Sequence, residues 1–282
     1  MAGKTGGNIV PEPFSLTDEQ IQRYSRQILL KEVGGTGMAK LLDATVGVIG
    51  AGGLGCPAIQ VLAATGVGYL KVIDGDIVDL SNLPRQFLHY TPDVGIPKVD
   101  SIAAKVAAMN PDVQVENIQA FLTQDNAADF LSGCDYIIEA SDNHATKFLV
   151  NDACVHFRIP FVVAGVVQYY GQIVSVLPGE SACYRCIFHE PVPQDSIPTC
   201  SGTGVLSTAP AIAGVLQAHE AIQSILGIPS KILNQLFSFD LLGCTFEHIS
   251  VKQDPTCLAC AHPEEPFYLT AEYGVARDEC QI

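Results

Sequence analysis

"VGVIGAGGLGCP", Val46 to Pro57, is the stretch on which the reading of this chain turns. A β-branched run ends in three glycines spaced Gly50-x-Gly52-x-x-Gly55, and a helix-forming segment follows. Such a turn carries a strand directly into a helix, and the missing side chains let the backbone approach phosphate oxygens at the helix N-terminus. By itself the pattern suits a redox dinucleotide as well as a mononucleotide. The choice has to come from residues further along.

Around this turn the hydrophobic pattern alternates strand and helix. Strands are expected at Thr45–Ile49, Tyr69–Asp74, Val113–Ile118, Tyr136–Ala140 and Phe161–Ala164. Helices are expected at Leu54–Ala64, Val99–Met109, Asn126–Leu131 and His144–Phe157, with a further one across residues 17–31, where Thr17 and Gln20 form a capping-box pattern. Strands separated by helices of this length pair in parallel through right-handed crossovers. After Gly165 the strands follow one another without such helices, in "VVQYYGQIVSVLP" and "KILNQLFSFDLLGCTFEHISV". The expected fold is therefore α/β: a Rossmann-like mixed sheet, parallel in its N-terminal half and antiparallel afterwards, with helices on both faces.

The chain has 282 residues, 48% of them hydrophobic and 16% charged, which fits a packed globular protein. A net charge of −15 argues against nucleic acid or an anionic membrane as a partner. The opening "MAGKTGGNIVPEP" lacks the apolar core of a secretory signal, so residues 1–15 read as a flexible lead-in. Leu206 to Ile228 is apolar but interrupted by Gln217, His219, Glu220 and Gln223, the pattern of a buried helix rather than a membrane span. Ten cysteines without an export signal suggest reduced thiols or metal ligands, and a cytoplasmic location.

Asp74 stands where a ribose-binding carboxylate belongs, at the end of the second strand. A dinucleotide enzyme would have the same residue there. The run that follows, "DGDIVDLSNLPRQF", gathers Asp76, Ser81, Asn82, Arg85 and Gln86, and "GIPK" adds Lys98. Cations beside a glycine cradle suit a triphosphate, with more charge than a dinucleotide carries. The fourth parallel strand ends in Ser141, Asp142 and Asn143. Strand ends of an open sheet form the ligand crevice, so Asp142 is a candidate magnesium ligand, and either Asp142 or Asn143 could equally cap the next helix.

Taken together, "RYSRQI", "GAGGLG", "DGDIVDLSNLPRQ", "GIPKV", "ASDN", "CYRC", "TCSGTGV" and "CLAC" resemble the MoeB/ThiF/HesA adenylyltransferases, relatives of ubiquitin-activating enzymes, from about Leu16 to Cys260. Pro84 departs from what many relatives carry at that position. The resemblance implies an enzyme that binds ATP and magnesium and adenylates the C-terminal glycine of a ubiquitin-like sulfur carrier ending in Gly-Gly, releasing pyrophosphate, before thioester or sulfur transfer. It implies Gly53 against the nucleotide and Asp74 at the ribose. Ser81, Asn82, Arg85 and Lys98 would attend the phosphates, with Asp142 at the magnesium and Asn143 beside it, and Asp76 and Gln86 are further candidate nucleotide-binding residues. Arg26 would reach a neighbour's γ-phosphate, implying a homodimer, and Cys200 would take the activated acyl group or sulfur. Without a rhodanese-like extension in this sequence, the sulfur is expected from a separate donor.

The pairs Cys183-x-x-Cys186 and Cys257-x-x-Cys260 suit a tetrahedral structural zinc remote from the chemistry. Cys56, Cys134, Cys154 and Cys244 read as small buried hydrophobes. Residues 16–261 thus read as one adenylation domain and 262–282 as a tail that stays disordered or docks on a neighbour. The rivals are a branch acting on a small-molecule or tRNA carboxylate and an NAD-dependent oxidoreductase. The charge opposes tRNA, and the Arg85/Lys98 pair opposes the oxidoreductase.

Overall fold

The computed structural model describes residues 16–191 and 203–273. Strand β1 (Thr45–Ile49), which leads into the glycine turn, pairs in parallel with β2 (Tyr69–Ile73) on one side and β4 (Tyr136–Glu139) on the other. Beyond β2 lies β3 (Gln114–Ile118), and beyond β4 lies β5 (Phe161–Val167), both parallel to their neighbours. The chain then doubles back through β6 (Tyr170–Val176), β7 (Gln235–Asp240) and β8 (Thr245–Ser250), each antiparallel to the strand before it. The sheet order is β3-β2-β1-β4-β5-β6-β7-β8. Its parallel half and antiparallel continuation are those expected.

Both faces of the parallel half are covered, as crossover helices require. Alternation along each strand sends Val46, Val48, Ile138, Val162 and Ala164 to one core and Ile49, Ile137, Phe161 and Val163 to the other. The first core is closed by α3 (Gly34–Asp43), α4 (Gly55–Thr65), α5 (Lys98–Met109) and α9 (Thr208–Leu226). The second is closed by α6 (Gln124–Leu131), α7 (His144–Phe157) and the short α10 (Phe267–Thr270), with the segment around α8 (Arg185–Phe188) packed beside them. Among the described residues no helix is long and apolar enough to cross a membrane.

The structure departs from expectation in four places. Residues 17–31 do not make one helix: α1 (Asp18–Arg23) and α2 (Ser25–Ile28) meet at Tyr24. That tyrosine leaves helical geometry at ψ 10° and is buried, its hydroxyl donating to Asp112 at 2.9 Å and accepting from Asn110 at 2.9 Å. The capping box between Thr17 and Gln20 forms as expected; burial of Tyr24 ends the helix before the apolar periodicity does. Helix α3 was not anticipated, because its "GGTGMAKLLD" opens on glycines with poor helix propensity; its Met38, Leu41 and Leu42 are buried against the sheet. Cys244 is exposed, at φ 52° in the turn between β7 and β8, and is no part of a core. The stretch after Cys260 folds back within the described residues: Tyr268 is buried in the second core, and the Tyr273 hydroxyl donates to Asp152 at 2.7 Å.

Candidate active site

Because the chain runs from β1 to β2 on one side and later enters β4 on the other, a crevice opens at the carboxyl ends of β1 and β4. The glycine turn forms its floor. Gly50 sits at φ 98°, where a Cβ would also lie 2.8 Å from the Ala140 carbonyl oxygen; at Gly55 a Cβ would be 2.0 Å from the Gly50 oxygen. These two glycines are demanded by the turn itself. Gly52 and Gly53 have more room: a Cβ at Gly53 would stand 3.3 Å from Pro210 and 3.6 Å from the Arg85 stem, and one at Gly52 3.6 Å from Gln86 Nε2.

Between them, Ala51 is held by both backbone groups. Its N–H donates to Asp74 Oδ2 at 2.7 Å, and its carbonyl accepts from His89 Nε2 at 3.0 Å. A carbonyl can only accept, so His89 carries its proton on Nε2 and its Nδ1 accepts from the Ser101 hydroxyl at 2.9 Å. Burial holds the His89 imidazole below its ordinary pKa, which keeps this neutral tautomer in place. His89 carried no motif signal beyond its place in "RQFLH".

Asp74 is buried, and its second oxygen accepts from the Asp76 amide at 2.8 Å. Burial raises its carboxyl above the usual carboxylate value against the opposing pull of Lys98 and the two amides. Each oxygen still has a lone pair to offer a hydroxyl donor. Lys98 opens α5 with its side chain buried and its ammonium 2.6 Å from Asp76 Oδ2. Burial alone would lower its pKa, but the charges of Asp74, Asp76 and Asp142 outweigh that, so the ammonium is held charged.

The remaining expected residues divide. Arg85 donates to the Ser81 carbonyl at 2.9 Å and leans over Gly53. Asn82 accepts from the Asp79 amide at 3.1 Å and so shapes the loop. Gln86 is buried, and its Oε1 has no partner, one of three such buried side-chain oxygens among the described residues. An orphaned polar atom beside the glycine turn is what a site for a hydrogen-bonding ligand shows when the ligand is absent. Asn143 is the N-cap of α7, accepting from the Thr146 amide at 3.2 Å, whereas Asp142 is exposed at the crevice. Arg26 is exposed on α2 and bonded to none of these groups. Cys200 lies outside the described residues.

A second cluster joins Cys183, Cys186, Cys257 and Cys260. Its sulfurs are 3.5 Å (Cys183–Cys257), 3.5 Å (Cys186–Cys260) and 3.8 Å (Cys183–Cys186) apart. A tetrahedron with Zn–S bonds of about 2.3 Å has edges of about 3.8 Å, so the donor set and its spacing fit zinc. The first pair precedes and enters α8, and the second lies in the turns after β8. Asn151 and Asp152 of α7 secure the first pair: the Tyr184 amide donates to Asn151 at 2.8 Å, and Arg185 grips Asp152 at 2.7 and 2.8 Å.

The ThiF family model matches residues 24–259. The chain is 42% identical over 247 residues to the SAMP-activating enzyme E1 of Haloferax volcanii, covering 88% of this chain and 91% of that one. It is 41% identical over 255 residues to the sulfur carrier protein adenylyltransferase of Thermus thermophilus, covering 89% and 93%. Against the adenylyltransferase and sulfurtransferase MOCS3 of Anopheles gambiae the identity is 40%, over 87% of this chain but only 56% of the relative. Among solved structures, E. coli MccB with MccA-N7isoASN superposes at a TM-score of 0.75 with 22% identity, covering 85% of this chain and 74% of that one. PaaA superposes at 0.73 with 23% identity, covering 86% and 77%. At these identities the structural likeness establishes the shared fold.

Proposed function

The chain belongs to the ThiF family, and from this premise we propose that it adenylates the C-terminal glycine carboxylate of a small ubiquitin-like sulfur carrier, using ATP and releasing pyrophosphate. The observation that carries this reading is the pairing of Asp74 with Ala51 and Asp76 at the glycine turn, under the Lys98 ammonium. In it, Asp74 accepts from the ribose hydroxyls, and Gly53 leaves room for the nucleotide. Ser81, Asn82, Arg85 and Gln86 attend the phosphates, Gln86 through its Nε2 amide, since its unpartnered oxygen can pair only with a donor group of the ligand. Lys98 offsets the charge that gathers on the leaving pyrophosphate as the carboxylate attacks the α-phosphate. Asp142, with Asn143 beside it, would hold magnesium, which when bound neutralises phosphate charge. Attack by the substrate's own carboxylate requires no side-chain nucleophile.

In this reading Arg26, exposed and bonded to none of the crevice residues, serves the site of a second copy, and the protein works as a homodimer in the cytoplasm. Cys200 takes part after adenylation, with sulfur from a separate donor, and the four clustered cysteines hold a structural zinc. The name of the Thermus thermophilus relative, a sulfur carrier protein adenylyltransferase, supports this substrate class over a small-molecule or tRNA carboxylate.

Purified protein is expected to exchange labelled pyrophosphate into ATP only when a carrier ending in Gly-Gly is supplied. Lys98→Ala and Asp142→Ala should each lower that exchange at least 100-fold, about 3 kcal/mol of lost transition-state stabilisation. Cys200→Ala should exchange normally and fail in transfer. Exchange of equal rate without any carrier overturns the proposal.

A further inference from the structure

The strand end that carries Asp142 is anchored from below by a buried ion pair. Lys147, on the second turn of α7, and Glu139, the last residue of β4, have side chains only 5% and 0% exposed, and their charged atoms are 2.5 Å apart. The ammonium has three protons, and three acceptors surround it: Glu139 Oε2, the Ser141 carbonyl at 2.7 Å and the Ala164 carbonyl at 2.8 Å. The last of these lies on the neighbouring strand β5. Glu139 in turn accepts from the Ser141 amide at 2.9 Å and from the Ser141 hydroxyl.

Every polar group of Ser141 is therefore taken by this pair. The Ser141 hydroxyl oxygen also accepts from the Asn143 amide at 3.4 Å, and Asn143 caps α7. Both neighbours of Asp142 are thus tied down while Asp142 itself stays exposed. Glu139 is fixed in its turn, its backbone carbonyl accepting from Gln217 of α9 at 2.6 Å. A buried charge pair contributes little net stability compared with an apolar replacement of the same volume, because its desolvation opposes its attraction. What this one does supply is a fixed path for residues 141–143.

We infer that Glu139 and Lys147 are positioning residues, which hold the Ser141–Asn143 segment so that the Asp142 carboxylate meets the metal of a magnesium–nucleotide complex. They touch neither the nucleotide nor the metal. The inference rests on the proposed role of Asp142 and extends it to two residues that no motif marked. A loop free to move would spend binding energy on ordering itself each time the metal arrived; a pre-set one does not.

Magnesium gives the test. Calorimetric titration with ATP, once in excess magnesium and once in EDTA, defines for each variant the factor by which the metal tightens nucleotide binding. Lys147→Met alone strands a buried carboxylate and is prone to misfold, so the informative variant is Glu139→Gln/Lys147→Met, which removes both charges at similar volume. That variant is expected to unfold cooperatively and to bind metal-free ATP as the wild type does. Its metal-dependent tightening should fall tenfold or more. Lys147→Arg, which keeps the charge and has donors enough for the same three acceptors, should retain it.

Asp142→Asn separates the two ideas. If it loses the tightening and the double variant keeps it, the positioning role is wrong and the Asp142 role stands. If neither Asp142→Asn nor the double variant loses it, both are wrong. A double variant that binds metal-free ATP tenfold more weakly also overturns the inference, because the pair would then serve the whole cradle rather than the metal side.

Discussion

His89 illustrates what single residues do here. It does not reach solvent, yet it fixes the carbonyl of Ala51 while Asp74 fixes the amide of the same residue, so the floor of the crevice is held from both sides. Folding lowers its pKa through burial, so the unfolded chain takes up a proton that the folded chain refuses. The stability it supports is present above the unfolded value of about 6.5 and is lost as pH falls from there through the lower folded value. Urea unfolding at pH 7.5 and 5.5 should show a larger drop for the wild type than for His89→Gln; equal drops would mean that burial leaves this imidazole free to titrate. Asp74 announced itself in the sequence because motif and strand end coincide there, and Lys98 because it closes the "GIPK" motif. His89 did not, since its partners Ala51 and Ser101 lie 38 and 12 residues away; Glu139 and Lys147 did not, since only their burial shows that the two charges are paired.

At the scale of elements, α7 connects the two chemical features of the molecule. Its N-cap, Asn143, adjoins the crevice, and Asn151 and Asp152 in its middle receive the zinc-type knuckle through Tyr184 and Arg185. Arg185 is further sandwiched by the rings of Phe148 and Phe267 at 4.8 and 5.0 Å, and Tyr273 closes over Asp152. The four cysteines therefore stitch the segment after β6 and the segment after β8 onto the second core. Stripping metal with a strong chelator should lower the melting temperature by at least about 5 °C, the shift expected for a loss of roughly 2 kcal/mol in a domain of this size. Cys186→Ser should do the same and become insensitive to chelator. An unchanged melting temperature would show that the thiols hold no structural metal. The CxxC pairing was legible because both halves have the same spacing; that α10 and Tyr273 pack around it was not, because the polar stretch past Cys260 has no periodicity.

At the scale of the whole molecule, Asp74, Asp76, Lys98, Arg85 and Gln86 gather around the glycine turn, and Arg26 is bonded to none of them. Exposed apolar side chains at Ile21, Leu29 and Leu30 flank that arginine on the same N-terminal segment, and Val215 lies exposed on α9. If Arg26 serves a partner's site, Arg26→Ala and Lys98→Ala proteins should each be inactive in pyrophosphate exchange, and re-equilibrated equal mixtures should regain roughly a quarter of wild-type activity. Half the dimers are then mixed, and each mixed dimer has one site with both residues intact. No recovery on mixing would place the action of Arg26 within its own chain.

The sequence by itself determined the alternation of strands and helices, the glycine turn, the acid at the end of β2, the crevice-facing Asp142 and the paired cysteines, because each depends on periodicity or on residues close together in the chain. Only the tertiary structure decided that residues 17–31 break at Tyr24, that the glycine-rich "GGTGMAKLLD" is helical, that Asn143 rather than Asp142 caps α7, and that Glu139 and Lys147 brace the segment between them. The break at Tyr24, the glycine-rich helix and the Glu139–Lys147 pair depend on burial and on partners such as Asp112 and the Ala164 carbonyl, which outweigh local propensity once the two cores close. The choice of Asn143 is local, between two capable caps, and is settled by which side chain meets the Thr146 amide.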